Sequence, residues 1–531
     1  MAKIKLNTGG KALIAILAIA LIGIAVWQLI PKKSSDGPSV EIPKIGEGAD
    51  VEVGSVATGP STPGINRPIR VAIVTWGGYA GGIMANNGFA PNKDSTFWKE
   101  YGIEVDLRVI DDFPASRDAF KKGGDAGGVD IMWSTVDSFS LEYPSLKDLN
   151  PVTIMQYDWS RGGDAIAVTK EIQKVADLKG KRIAVAEATP SHYFALYLLS
   201  QANMKIGDVN WVFTESAIEA AALFRQGKVD AAVSWSPDVY QAADDRAGGH
   251  ILASTKDATA LIADIFVARG DFAKKHPELV AKFLLGWFDG TEQVLKDSTK
   301  VEALMVKGFE GVGPEDAKGM LDDVKLPTYA ENLAFFEVTG PQLRGYDAIF
   351  NESTNIWRAL GKTSGRTQPA ETKDTSFLSA IRPEAERRFG KIEATAATKE
   401  FAFDFDAAKA EQQKTQEAIL TKQISIFFPT GKSELDGNAK VILDDAAMLA
   451  QTFGSNRMRI TGNTDSVGNK DANVKLSERR AQAVVNYLIE RHGFPKDKFV
   501  VVGAGPTKPV ASNDTEEGRQ QNRRTDFEII R

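Results

Sequence analysis

The sequence predicts an α/β protein, two lobes of alternating strands and helices followed by a smaller α/β domain, and three observations carry that prediction. Its 531 residues exceed what one ordinary hydrophobic core organises, so several compact units are expected. Short runs rich in valine and isoleucine recur between residues 69 and 236 with helix-length stretches between them, the pattern of buried strands covered by helices. The same alternation resumes over residues 422–531 after a polar interval.

At the amino end, ALIAILAIALIGIAVWQLI (12–30) is long and apolar enough for a helix that crosses a bilayer, with Gln28 its one strongly polar residue. Lys3, Lys5 and Lys11 precede it and no clean small-x-small cleavage site follows, so residues 1–30 are read as an uncleaved signal anchor. This reading places the chain in the inner membrane as a single-pass protein, with its amino end cytoplasmic and its bulk in the periplasm. The span carries no charge, which favours anchorage over ion conduction. Residues 31–68 hold six Pro and six Gly in 38 positions and read as a tether.

Composition narrows the function classes. With 43% hydrophobic residues, 25% charged residues and a net charge of -6, the chain lacks the positive excess that nucleic acid selects, and no nucleic-acid partner is expected. Cysteine is absent, which excludes disulfides, thiolate metal sites and cysteine nucleophiles. The four histidines, His192, His250, His276 and His492, have no metal-ligand spacing. No nucleophile, base and orienting acid form a recognisable set, so no enzyme activity and no cofactor are expected.

Residues 69–360 form the expected two-lobed region. Strands are predicted at 69–78, 103–110, 129–135, 182–188 and 229–236, and helices at 191–202 and 216–226. Ligands of such sheets sit beyond the carboxyl ends of the strands, where the loops here carry aromatic and acidic residues. WGGY supplies Trp76 and Tyr79, MWSTVD supplies Trp133 and Asp137, and SWSPD supplies Trp235 and Asp238. In TPSHYF, Thr189 or Ser191 caps a helix whose free amides suit an oxyanion, and His192 is either a donor at that helix start or a structural histidine. The helix end favours an anion, whereas the aromatic faces and acids favour an ammonium group. A small anionic or zwitterionic solute is expected, and the sequence does not select among such molecules.

Three phrases, ADLKGKRIAVAEATPSHYFALYLLS (176–200), AALFRQGKVDAAVSWSPD (221–238) and FVARGDFAKKHPELVAKFL (266–284), resemble periplasmic substrate-binding proteins of the nitrate, sulfonate and taurine class. The resemblance implies a type II periplasmic binding fold. One lobe would span about 70–155 plus the return after about 262, with the other lobe between them. It also gives Ser191 a ligand-facing role and implies an ABC-type permease or a sensor as partner. Residues 361–421 follow as a linker with a short helix within 405–420.

In the terminal domain, strands are predicted at 424–428, 457–463, 498–504 and 525–530, and helices at 434–453 and 476–493. Asp465 lies just past a strand, and Arg480 is one turn into the helix whose Val484 faces the core. A carboxylate and a guanidinium so placed can grip the two ends of an amino acid. The phrases FFPTGKSELD, GNTDSVGNKDANVKLSERRAQAV and NDTEEGRQQNRR resemble the peptidoglycan-binding domain of the OmpA, Pal and MotB families. The resemblance implies that Asp465 and Arg480 contact diaminopimelate in peptidoglycan, with Asn473, Leu476 and Arg524 completing the site. Asn463 departs from it, standing where those families commonly have histidine.

Joined together, these modules describe a membrane-anchored periplasmic solute receptor tethered noncovalently to peptidoglycan. The alternative is an envelope scaffold or stator-like protein whose lobes have lost their ligand.

Overall fold

The computed structural model describes residues 64–392, 409–426, 428 and 431–531. The first lobe opens with β1 (Ile69–Ile73), β2 (Val105–Val109), β3 (Ile131–Thr135) and β4 (Val152–Ser160). The second lobe holds β5 (Asp164–Val168), β6 (Arg182–Ala186), β7 (Asn210–Thr214), β8 (Ala231–Trp235) and β9 (His250–Ser254). The chain then returns to the first sheet through β10 (Ala263–Ala268) and β11 (Val324–Lys325). Strand orders are β11-β4-β10-β3-β1-β2 and β7-β6-β8-β5-β9.

The two sheets share a construction. β1 pairs in parallel with β2 and β3, and β6 in parallel with β7 and β8; the central strands β1, β3, β6 and β8 are mostly apolar and buried, while the edge strands β2 and β7 are partly exposed. Antiparallel strands are added where the chain changes lobes: β10 beside β3 and β4, and β5 beside β8 and β9. Residues 161–163 and 255–262 are the two crossings, and the functional side chains lie next to them.

The terminal domain consists of β12 (Leu420–Ile424), β13 (Arg457–Asn463), β14 (Phe499–Gly505) and β15 (Thr525–Ile530) in the order β12-β15-β13-β14, with two long helices. Helix Gly437–Thr452 begins where Asp436 accepts a hydrogen bond from the Ala439 amide at 2.7 Å. Helix Lys470–His492 begins at the Asn469 cap and ends at Gly493 in the left-handed region. The Asn469 cap explains why this helix starts earlier than its apolar periodicity predicts. Glycines let it lie close on the sheet, since a Cβ on Gly462 would meet the Ser477 carbonyl oxygen at 2.1 Å and one on Gly503 would meet that of Val474 at 2.5 Å.

The second lobe and the terminal domain share one apolar interior, in which Leu198 and Leu252 join the same cluster as Leu443, Ile460 and Val484. Polar contacts stitch its margin. The Tyr197 hydroxyl donates to Thr452 Oγ1 at 3.1 Å, the Ala260 amide to the Thr452 carbonyl at 3.2 Å, and Ser455 Oγ to the Lys256 carbonyl at 2.6 Å. The last side chain, Arg531, grips Asp257 of the second lobe through two bonds of 3.0 and 2.8 Å.

Two expectations change. No helix among the described residues is long and apolar enough to cross a membrane, and segment 12–30 lies outside the described residues. The N-terminal transmembrane helix is therefore corrected, and with it the membrane anchoring and the single-pass inner-membrane placement that depended on it. In the terminal domain, the apolar ISIFF stretch is not the first strand. The strand runs Leu420–Ile424 because its partner β15 supplies ladder positions only from Ile529 opposite Leu420 to Thr525 opposite Ile424.

Gly462→Ala should destabilise the full chain by about 1–3 kcal/mol, because the added carbon collides with backbone that cannot swing aside. Gly437→Ala, where an added Cβ meets nothing within 4 Å, serves as the control. Urea midpoints check this, and equal midpoints for the two variants would contradict the close packing.

Candidate functional site

The first site is the junction between the lobes. β4 and β10 place Asp158 and Asp264 directly opposite each other, and Asp264 also stands opposite Thr135 at the end of β3. Thr135 caps helix Val136–Leu146, accepting from the Ser138 amide at 3.2 Å, which puts Asp137 in that helix's first turn. Asp164 opens β5 immediately after the first crossing. All four carboxylates are buried, none more than 7% exposed.

Their neighbours come from both lobes. Trp76 donates its indole N–H to Asp158 Oδ2 at 2.9 Å, and the same ring reaches toward Gly163 at the crossing, where a Cβ would lie 2.6 Å from it. The Asp158 carboxylate fits there because Gly78 has no side chain: a Cβ would fall 1.4 Å from Oδ2. The Tyr157 hydroxyl is 2.9 Å from that of Tyr79 and 3.2 Å from Asp264 Oδ1. Ser191 Oγ donates to Asp164 Oδ1 at 2.6 Å, and Ser160 Oγ to Asp164 Oδ2 at 3.2 Å.

Burial dominates the electrostatics. It pushes Asp137 up to about 7 and Asp164 up to about 6, with serine donors only partly opposing the latter shift. Asp264 is raised well above the carboxylate range by burial and by its neighbour Asp158, so it is the protonated member of that pair. Asp137 Oδ1 and Asp158 Oδ1 are buried without a hydrogen-bond partner.

The remaining residues singled out in the sequence fall into three settings. Trp133 and Trp235 meet across the lobes through Phe113, whose ring lies 4.6 Å from the first and 5.8 Å from the second. Thr189 caps helix Pro190–Gln201, accepting from the His192 amide at 3.3 Å. His192 is enclosed by Trp211, Phe213 and Trp357, accepts from the Ala188 amide at 3.2 Å, and is driven down to about 4 by burial, so it is neutral. Asp238 starts helix Asp238–Asp245 with Arg225 as its charged neighbour.

Asp158, Asp164, Asp264 and Tyr157 escaped the sequence reading. Their signal was an acid inside an otherwise apolar strand, as in VTIMQYDWS and ADIFVA, which a buried strand does not carry without a use.

The second site lies on the turn after β13. Asp465 Oδ2 accepts from Arg523 Nη1 at 2.7 Å, and its Oδ1 accepts from the Val467 amide at 3.0 Å. Asn473 locks the same turn, donating to the Val467 carbonyl at 2.9 Å, while Leu476 is half-buried one turn further on. Arg480 donates to the Lys432 carbonyl at 3.0 Å and lies over the Phe428 ring at 4.9 Å. Burial lowers its pKa and the charge of Asp465 opposes that shift, so the two share one electrostatic neighbourhood. Arg524 points elsewhere, into a buried pair with Asp526 at 2.9 and 3.0 Å. Asn463 donates to the same Asp526 at 2.9 Å, which is the role left to it in place of histidine. The arginine beside Asp465 is Arg523, a neighbour in NRR that the sequence reading passed over.

Comparison with known proteins agrees with both halves. The OmpA family profile matches residues 427–523, and that of the ABC transporter, phosphonate, periplasmic substrate-binding protein family matches residues 96–316. The chain is 37% identical over 125 residues to outer membrane protein A of Bordetella avium, covering 23% of this chain and 64% of that protein. It is 29% identical over 259 residues to the taurine-binding periplasmic protein of Escherichia coli strain K12, covering 47% of this chain and 76% of that protein. Among solved structures, the periplasmic aliphatic sulphonate binding protein SsuA from Escherichia coli is similar at 18% identity and TM-score 0.46, covering 58% of this chain and 92% of that one. The chain joins a region similar to periplasmic substrate-binding proteins to a C-terminal OmpA-like domain. The families it matches bind rather than catalyse.

Asp137 and Asp164 hold protons in the folded chain at pH values where the unfolded chain, near 3.8, has lost them. Folding stability therefore falls as pH rises from about 4 to about 7. In Asp164→Asn the fall measured by urea midpoints between about pH 4 and about pH 7.5 should shrink by on the order of 2–3 kcal/mol. Parallel slopes for variant and parent would contradict the assignment.

Proposed function

We propose that the protein is a cell-envelope solute receptor whose lobes enclose a small molecule while its terminal domain grips peptidoglycan, and that the closed lobes are read by an ABC-type permease. The observation that carries this reading is the junction itself: charged and aromatic groups from both lobes converge beside the two crossings, where hinge motion opens and closes such a protein. The taurine-binding relative supports a solute-receptor role, and the OmpA-family match supports the wall-binding half.

For the wall, Asp465 and Arg523 with Arg480 across the turn offer both signs of charge within one neighbourhood, suited to the ammonium and carboxylate of diaminopimelate. Asn473 contributes by holding the turn that presents Asp465. The shared interior between the second lobe and the terminal domain gives the receptor a firm mount, so a wall-bound terminal domain holds that lobe in place. Direct grip through side chains requires no covalent link to the wall.

The full chain should sediment with diaminopimelate-containing sacculi, and Asp465→Asn and Arg480→Ala should each weaken retention by roughly 10- to 100-fold, the scale of one charge-assisted contact. Thermal melts of both variants check that folding survives. Retention equal to the parent in folded variants would reject the grip.

A further inference from the structure

We infer that the terminal domain acts on the lobes as well as on the wall: it clamps the second crossing between them and so restrains their opening. The clamp follows from the two-lobed fold and holds whichever solute the lobes enclose.

One set of bonds fastens the terminal domain to the body of the second lobe. The Lys422 ammonium donates to Gln201 Oε1 at 2.6 Å, the Gln423 amide to Asn203 Oδ1 at 3.0 Å, and the Val175 amide to the Ile419 carbonyl at 2.9 Å. Together with the shared apolar interior, these would suffice for a mount. A second set reaches the crossing itself, residues 255–262. Ser455 Oγ donates to the Lys256 carbonyl at 2.6 Å, and the Ala260 amide donates to the Thr452 carbonyl at 3.2 Å. Between them, buried Asp257 accepts two bonds from Arg531 at 3.0 and 2.8 Å and one from Asn456 Nδ2 at 3.3 Å.

Two lobes open and close by changing the backbone torsions of the segments that join them. Here a carbonyl, a side chain and an amide of one joining segment are bonded to a third body, so those torsions turn only if the bonds break. The hold extends to the first crossing through Thr255, whose Oγ1 accepts from the Gly162 amide at 2.8 Å and from the Asp164 amide at 3.2 Å. The lobes are in contact at the angle fixed in this way. The Phe113 ring of the first lobe stacks on Trp235 of the second at 5.8 Å, and Lys256 Nζ of the crossing lies 3.0 Å from Asp323 Oδ1 of the first.

The terminal domain stiffens the part of itself that does the clamping. Residues 453–456 link helix Gly437–Thr452 to β13. Lys498, wholly buried, donates to the carbonyls of Phe453, Gly454 and Asn456 and pins that link from behind. A sealed ammonium is costly, and its effect here is to fix the backbone that presents Ser455 and Asn456 to the crossing. From this link β13 runs seven buried residues toward the turn that carries Asp465. The clamp and the candidate wall site therefore stand at opposite ends of one strand, and the domain that grips the wall is the domain that holds the hinge.

The chain has no cysteine, so one spin label can be placed on each lobe through Lys121→Cys and Lys228→Cys, both at exposed positions. Pulsed dipolar spectroscopy on the full chain then reads the distance between the lobes with neither solute nor sacculi present. The parent should give one narrow distance population, and Arg531→Ala combined with Ser455→Ala should add a longer one. In that variant, hydrogen exchange at the Ala260 amide should quicken by about 10-fold or more, the scale of one charge-assisted contact. Lys174→Ala is the control: it removes a 2.6 Å bond to Glu417 between the same two bodies, away from the crossing, and should leave both readouts at parental values. Thermal melts check that each variant is folded. Asp257→Asn, which keeps the side chain's shape and weakens only the grip of Arg531, should move both readouts in the same direction as the double variant. Equal distances and exchange in the parent and the folded clamp variants would overturn the clamp, as would equal changes in those variants and the Lys174 control. A parent already spread over both distances would overturn it too. Each of these results leaves the solute-receptor reading standing, because no ligand takes part.

Discussion

The structure turns on the cost of burying four carboxylates where two lobes meet. Each lies at a strand end or helix start that the sheet topology brings to the crossings, so none can be moved away without remaking the fold. The four side chains are buried, and the nearby Arg117 is paired with Glu142. The folded chain answers with retained protons, one of them on Asp264 beside Asp158, and hydroxyl and indole donors. Such an arrangement makes the junction's stability depend on pH, because the buried acids keep protons that the unfolded chain loses.

The terminal domain shows a different use of charge. Asp465 is held at the surface of a turn by Asn473 and paired with Arg523, where a ligand's own ends can compete for both partners. Arg524 is instead buried against Asp526 on its own segment, while Arg459 of β13 pairs with Glu528 of β15 and helps hold those two strands together. Adjacent arginines in one NRR run thus take different partners, Arg523 pairing with Asp465 on the turn and Arg524 with buried Asp526. The Arg531 contact to Asp257 ties the terminal domain to the second lobe.

Much of this was legible before any coordinates. β1, β3, β6, β8, β13 and β15 are apolar or alternating runs bounded by glycine or polar residues, and they lie within the predicted segments. β4, β5 and β10 were passed over because acids interrupt their apolar runs, and those interruptions mark the candidate site. The aromatic loops stand out by their position at strand ends, but the partner of Ser191 does not, since it reads as a free donor until Asp164 is seen beside it. Asp164 is twenty-seven positions away in sequence, and only the pairing of β5 with β8 brings it there. The ISIFF stretch misled for a related reason: Phe428 lies under Arg480, whereas the strand ends at Ile424, the last residue that pairs with β15. The membrane-spanning expectation has no helix to support it among the described residues.

The most direct measurement of the central claim is the urea midpoint of the full chain and of Asp158→Asn across the range from about pH 4 to about pH 7.5. If buried carboxylates define the junction, the parent loses stability as pH rises through that range and the variant loses less. A flat profile for the parent, or parallel profiles for the two chains, would contradict it.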